Sequence, residues 1–128
     1  MSNIETVQKM YTLFAEGNTE NIKTIFDDDL KWNMMKGFPN GGQHVGIDAV
    51  FKNVFGYFKE PWESWKAISL RYIETEDGVF VVGYYEGTYK KTGKYVKADF
   101  ASEYKVNNGK VIEYNQFTDT ALIVEAIK

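Results

Sequence analysis

The chain has 128 residues and a formal net charge of −3, and 16% of its residues are aromatic. This length is typical of one domain, so we expect a single domain over residues 1–128. The absence of cysteine excludes disulfides, thiolate metal sites and a cysteine nucleophile. The 21 aromatic rings (nine Tyr, nine Phe, three Trp) exceed what such a core needs, so some are expected to line a cavity or an interface.

Charge and hydropathy disfavour two classes of partner. The one local basic cluster, Lys90, Lys91 and Lys94, falls in a predicted turn, which favours a solvated loop over a nucleic-acid site. No apolar run approaches the roughly 18 residues of a membrane span. The first residues lack a basic segment followed by an apolar one, as a signal peptide would have, so a cytoplasmic location is expected.

The chain begins with helical signals. Ser2 and Glu5 have the spacing of a capping box, apolar residues follow at helical intervals from Ile4 to Phe14, and Gly17 is placed to end the helix. A short second helix is predicted from Asn18 or Thr19.

After the first two helices, the chain carries mostly strand signals. Leu30 to Met35 is a predicted short strand, and a third helix is predicted after Gly46. Beyond Pro61 the period changes to two, and turns at Asp77-Gly78, Thr92-Gly93 and Asn108-Gly109 separate further strands. A last helix is predicted from Thr120 to Ile127. Helices followed by hairpin-linked strands indicate an α+β fold with a bent antiparallel sheet.

Two strands supply the polar candidates. In the strand from Tyr95, the alternation places Val96, Ser102 and Tyr104 on the inner face, so Ser102 is either a satisfied core hydroxyl or a ligand contact. In the last strand, Phe117 and Asp119 share a parity. Asp119 is either the N-cap of the last helix or a carboxylate at the mouth of an apolar cavity, able to exchange protons with a ligand.

The remaining cavity candidates are large apolar or aromatic residues, each of which could equally belong to the core. They are Trp32, Met34, Phe38, Phe55, Trp62, Tyr84, Phe100 and Phe117. His44 is the only histidine and lacks further ligands at suitable spacing, so no metal site is predicted. No phosphate-binding loop or nucleophile motif is present, and no cofactor is expected.

In order and spacing, these features resemble the SnoaL-like polyketide cyclase group of the nuclear-transport-factor-like and ketosteroid-isomerase-like superfamily. The resemblance rests on the opening helix with Tyr11 and Phe14, the segment Asp29 to Trp32, Gly87-Thr88 with the turn Thr92-Gly93-Lys94, the turn at Asn108-Gly109, and the ending Phe117, Asp119, Thr120. It implies a cone-shaped α+β fold with an internal pocket and a homodimer formed through the outer sheet face.

The resemblance also implies site residues. Catalytic members of the group use a buried carboxylate on the last strand, and Asp119 matches that position. Many relatives carry a histidine where this chain has Ser102. Two hypotheses follow. The first is a cofactor-independent acid–base enzyme (cyclase, isomerase, dehydratase or epoxide hydrolase type) for a small apolar molecule, using Asp119 with Tyr104. The second is a non-catalytic binding or dimerisation module with the same pocket.

Overall fold

The structure is a computed structural model that describes residues 1–128. Its helices are Asn3–Ala15 (α1), Thr19–Ile22 (α2), Ile47–Val50 (α3) and Thr120–Ile127 (α4), and α3 continues into a π-helical turn at Phe51–Phe55 and a 3-10 turn at Tyr57–Lys59. Its strands are Phe26–Met34 (β1), Gly42–Val45 (β2), Trp62–Glu74 (β3), Gly78–Tyr89 (β4), Tyr95–Asn107 (β5) and Lys110–Thr118 (β6). The predicted α+β class is confirmed.

One curved sheet contains all six strands, in the order β2-β1-β6-β5-β4-β3. Neighbouring strands are antiparallel except β1 and β6, which pair in parallel. The predicted bent antiparallel sheet therefore also contains one parallel pairing. β1 comes before the hairpin-linked strands and joins them at β6, far along the chain, so no tight turn fixes its direction.

The helices cover the inner face of the sheet. The predicted capping box is present, because Ser2 Oγ accepts from the Glu5 amide at 3.1 Å and Glu5 Oε1 accepts from the Ser2 amide at 3.0 Å. In the π-helical turn, the Gly56 amide donates to the Phe51 carbonyl at 2.8 Å. Val54 and Phe55 are both buried in this turn.

The inner face of β5 follows the predicted alternation, with every second residue from Val96 to Val106 buried. The same face of β4 carries Val79, Val81 and Tyr85. Together with the buried side of α1 these residues form the continuous apolar core. The core thus lies between the sheet and the helices, as a half-covered sheet requires.

A β-bulge interrupts β6. Lys105 pairs with Glu113, whereas Val106 pairs with Val111, so Ile112 is an extra residue without a partner. The bulge shifts the alternation by one residue. After it, Tyr114 and Gln116 are buried, while Phe117 is 50% exposed.

The outer face of the sheet is uncovered by helices and carries both apolar and polar side chains. Val82, Ala101 and Phe117 lie in one cross-strand row. Beside it, Asn115 donates to Glu103 and Glu113 and accepts from Asn33 at 2.8–2.9 Å. The homodimer predicted for this face stays a prediction, since a single chain is described. None of the helices is long and apolar enough to cross a membrane.

Candidate functional site

A cavity of about 340 Å³ lies inside the fold. Of the 17 residues that line it, 15 are hydrophobic, and the other two are Lys66 and Gln116. The walls come from α1, β1, the π-helical and 3-10 turns and the inner sheet face. Ala15, at the end of α1, and Lys66, on the edge strand β3, are exposed lining residues and mark the opening. This volume is within the roughly 300–1,000 Å³ of small-molecule sites.

The first polar feature of the cavity is a pair of phenols. The hydroxyls of Tyr11 on α1 and Tyr104 on β5 are 2.7 Å apart, and neither has another partner in the protein. Tyr104 is 3% exposed. The bond ties the first helix to the sheet at the cavity wall.

A second network runs from β6 to β4. The Met35 amide donates to Gln116 Oε1 at 3.1 Å, so Gln116 Nε2 is free to donate to the Tyr85 hydroxyl at 3.2 Å. Tyr85 and Tyr114 hydroxyls are 3.1 Å apart, and Tyr114 is 3.2 Å from Ser102 Oγ. A backbone N–H can only donate, so the Gln116 side-chain atom that contacts the Met35 N–H is the oxygen and the other is the nitrogen.

Stacked rings form much of the remaining wall. Trp32 and Tyr114 stack with centroids 3.9 Å apart and planes 20° apart. Phe58 and Trp65 stack at 4.4 Å and 9°. All four rings line the cavity. The indole Nε1 of Trp32 is buried without a hydrogen-bond partner.

The phenols are the titratable groups that the fold perturbs at this site. Burial raises the pKa of Tyr104 and of Tyr114 well above the usual value of about 10. Burial also raises the pKa of Tyr85 and of Tyr11, the latter again well above that value. All four phenols are therefore protonated at neutral pH and act as hydrogen-bond groups. No carboxylate or imidazole lines the cavity, and no three His, Asp or Glu residues cluster as metal ligands.

The predicted site residues fall into three groups. Those that line the cavity are Trp32, Met34, Phe55 and Tyr104. Those that are buried behind its walls are Phe38, Trp62, Phe100 and Ser102. Phe38 and Phe100 support the wall by contacting the Tyr85 ring, and Ser102 reaches the site through Tyr114. Those that lie outside it are Tyr84, Phe117 and Asp119.

The placement of Asp119 at the cavity was wrong. Asp119 is exposed and is the N-cap of α4, where its Oδ1 accepts from the Leu122 amide at 3.2 Å. Phe117 was misplaced because the bulge at Ile112 turns its side chain outward. Of the capping and cavity interpretations of Asp119, the structure supports capping.

Tyr84 is also on the wrong face, because the inner residue of β4 is its neighbour Tyr85. The Tyr84 ring lies on the outer face, with Lys97 Nζ 4.3 Å from its centroid. Lys97 is exposed on the outer face of β5, and Glu86 pairs with it across the strands. Because Glu86 lies on the outer face with Lys97, Tyr84, two residues before it in β4, lies on that face as well.

Four functional candidates were missed by the sequence reasoning, namely Tyr11, Tyr85, Tyr114 and Gln116. Tyr11 lies on the predicted apolar face of α1 and could have been found by asking which helix residues have a polar end. Tyr114 and Gln116 carried no such signal, since the bulge that turns them inward has no sequence mark. Each of the four lines the cavity.

The sequence pattern of the SnoaL-like domain matches residues 7–114, most of the chain. The chain belongs to the SnoaL-like domain family. No functionally curated protein matches the sequence.

Solved structures share the fold over nearly the whole chain. An NTF2-like protein from Burkholderia thailandensis is 28% identical, with a TM-score of 0.96 over 100% of this chain and 98% of its own. TerC, co-crystallised with polyporic acid, is 23% identical, with a TM-score of 0.88 over 98% and 97%. A candidate SnoaL-like polyketide cyclase from a Jannaschia species is 18% identical, with a TM-score of 0.84 over 98% and 90%. The predicted cone fold is confirmed by these similarities.

Capping by Asp119 leads to a stability prediction. Asp119→Ala removes the acceptor of the Leu122 amide and is expected to lower the free energy of unfolding by about 1 kcal/mol. Asp119→Asn keeps an acceptor oxygen and is expected to have a smaller effect. Urea denaturation of both variants measures the difference. Equal stability of Asp119→Ala and the natural chain would contradict the capping role.

The buried phenols lead to a prediction for alkaline pH. The pKa values of these phenols are higher in the folded chain than in the unfolded chain. Their contribution to the free energy of unfolding is therefore complete below pH ~10 and is lost as the pH rises beyond it. In that range each phenol that stays protonated in the fold lowers the free energy of unfolding by about 1.4 kcal/mol per pH unit. Tyr104→Phe should make this decline shallower, whereas the outer-face change Tyr84→Phe serves as the control. Denaturant unfolding between pH 8 and 11, on roughly either side of the phenol pKa, measures how the free energy of unfolding changes with pH. Identical slopes for Tyr104→Phe and the natural chain would contradict the account.

Proposed function

We propose that this chain binds a small, largely apolar organic molecule in the cavity of its SnoaL-like domain. The observation that carries the proposal is a preformed cavity of about 340 Å³ whose lining is hydrophobic at 15 of 17 residues. Such a site combines an apolar wall with a few polar groups, as small-molecule sites do.

The walls suit a molecule with flat rings. Trp32, Trp65 and three tyrosines that line the cavity are already fixed by ring contacts with one another. Binding therefore costs little side-chain conformational entropy. The free energy gained from burying apolar surface, roughly 25 cal/mol per Å², is mostly retained. Ligand rings can also stack on the exposed faces of the aromatic side chains.

Binding is better supported than acid–base catalysis. The lining lacks a carboxylate and an imidazole, and the one carboxylate expected to move a proton, Asp119, caps α4 outside the cavity. The lining phenols have raised pKa values because of burial, so they are poor bases at neutral pH. TerC, a protein of the same fold, was co-crystallised with polyporic acid, which is consistent with a ligand-binding use of the fold.

Filling the cavity tests the proposal. Ala67 lines it on the inner side of β3, opposite Tyr85. Ala67→Phe places a ring in the ligand space and is expected to weaken binding of the neutral aromatic probe fluorenone about tenfold or more. Isothermal titration calorimetry measures the affinity, and binding to the natural chain should show the negative heat-capacity change of apolar burial.

Ala121→Phe is the control, because it adds the same ring at an exposed position on α4. It should bind fluorenone like the natural chain. If Ala67→Phe and Ala121→Phe bind equally well, the ligand lies elsewhere and the proposal fails.

A further inference from the structure

In each of the two polar networks of the cavity, one hydroxyl proton has no acceptor within the protein. In the first network, the hydroxyls of Tyr11 and Tyr104 have two protons between them and share one bond, and neither oxygen has another protein partner. One phenol proton is therefore left without a protein acceptor. Both residues line the cavity.

The second network also has one more hydroxyl proton than it has hydrogen bonds between hydroxyls. The hydroxyls of Tyr85, Tyr114 and Ser102 have three protons and two mutual bonds. The Gln116 amide adds a donor rather than an acceptor, because its oxygen faces the Met35 amide. One hydroxyl proton is again in excess.

Ser102 decides where that excess proton lies. Its side chain is 0% exposed and its only hydrogen-bond partner is the Tyr114 hydroxyl. If Tyr114 donated to Ser102, the serine proton would be buried without an acceptor, which is unfavourable. Ser102 therefore donates to Tyr114, and the free proton belongs to Tyr114 or Tyr85, which both line the cavity.

The two networks meet at one place. Tyr104 and Tyr114 are direct cross-strand partners, and their ring centroids are 5.0 Å apart. The unpartnered indole N–H of Trp32, whose ring stacks on Tyr114, adds a further donor in the same wall. No carboxylate side chain lines the cavity to balance these donors.

We infer that the ligand presents a hydrogen-bond acceptor oxygen, such as that of a ketone or ester, to the tyrosine networks. A ligand whose polar end is only a donor would leave the phenol protons unpaired. This inference rests on the proposed function and specifies the ligand chemistry that the same cavity selects.

Fluorenone and fluorene test this inference, because they share a ring skeleton and differ by a carbonyl in place of a methylene group. Calorimetry with the natural chain is expected to show fluorenone binding roughly 2- to 10-fold more tightly, the range of one net hydrogen bond. The infrared carbonyl stretch of bound fluorenone should lie below its value in an apolar solvent, as a donated hydrogen bond requires.

Paired variants identify the donor. Combining Tyr11→Phe with Tyr104→Phe removes a whole hydrogen bond and keeps the ring shapes, and the corresponding Tyr85→Phe with Tyr114→Phe pair removes the other phenols. At least one pair should abolish or invert the preference for fluorenone, because the carbonyl then loses its hydrogen bonds to water without replacement. Tyr84→Phe, on the outer face, should keep it.

The outcomes separate the two claims. If fluorene binds the natural chain as tightly as fluorenone and the carbonyl stretch is unshifted, the inference is overturned while the proposed binding function stands. If neither probe binds saturably, the proposed function fails and the inference fails with it. The comparison on the natural chain remains decisive even if a paired variant does not fold.

Discussion

The bulge at Ile112 in β6 determines which chemistry the inside of the fold contains. Before it, Val111 is buried at the edge of the core, and after it Tyr114 and Gln116 face inward. Without the extra residue, the inner face would present Glu113, Asn115 and Phe117, and two polar side chains would be buried against the rings of β5. The bulge instead places those residues on the outer face, where Asn115 donates hydrogen bonds to Glu103 of β5 and to Glu113. An apolar cavity with phenol donors is the consequence.

The tyrosines explain how such a cavity can stay open in a small domain. A phenylalanine at each site would fill the same space but would add nothing that holds the walls apart. The hydroxyl bonds between Tyr11 and Tyr104, and between Tyr85 and Tyr114, fix rings from α1, β4, β5 and β6 at set distances. Their spare protons are tolerated because the cavity gives them access to a ligand or to solvent.

Local signals made much of the fold predictable. The capping box at Ser2 and Glu5, the turn at Asn108-Gly109 and the alternation in β5 each depend on residues close in sequence, and each is present. The alternation in β5 also turns Tyr104 toward the cavity, whereas Trp32, Met34 and Phe55 were candidates because they are large apolar or aromatic residues. The errors came from long-range pairing. The parallel contact of β1 with β6 and the bulge at Ile112 depend on partners distant in the chain, so the inward positions of Tyr114 and Gln116 could not be read from β6 alone. Asp119 is a different case, because its capping bond to the Leu122 amide is local and capping was one of the two interpretations left open by the sequence.

The four methionines allow the central claim to be measured directly. Met10 and Met34 line the cavity, whereas Met1 and Met35 do not. With methyl-labelled methionine, titration of the natural chain with fluorenone can be followed by NMR. Ligand binding in the cavity predicts saturable shifts of the Met10 and Met34 methyl signals, larger than any at Met35, with Met1 unchanged. Shifts confined to Met1 or Met35, or no saturable shift at any methyl, would contradict a ligand site inside the fold.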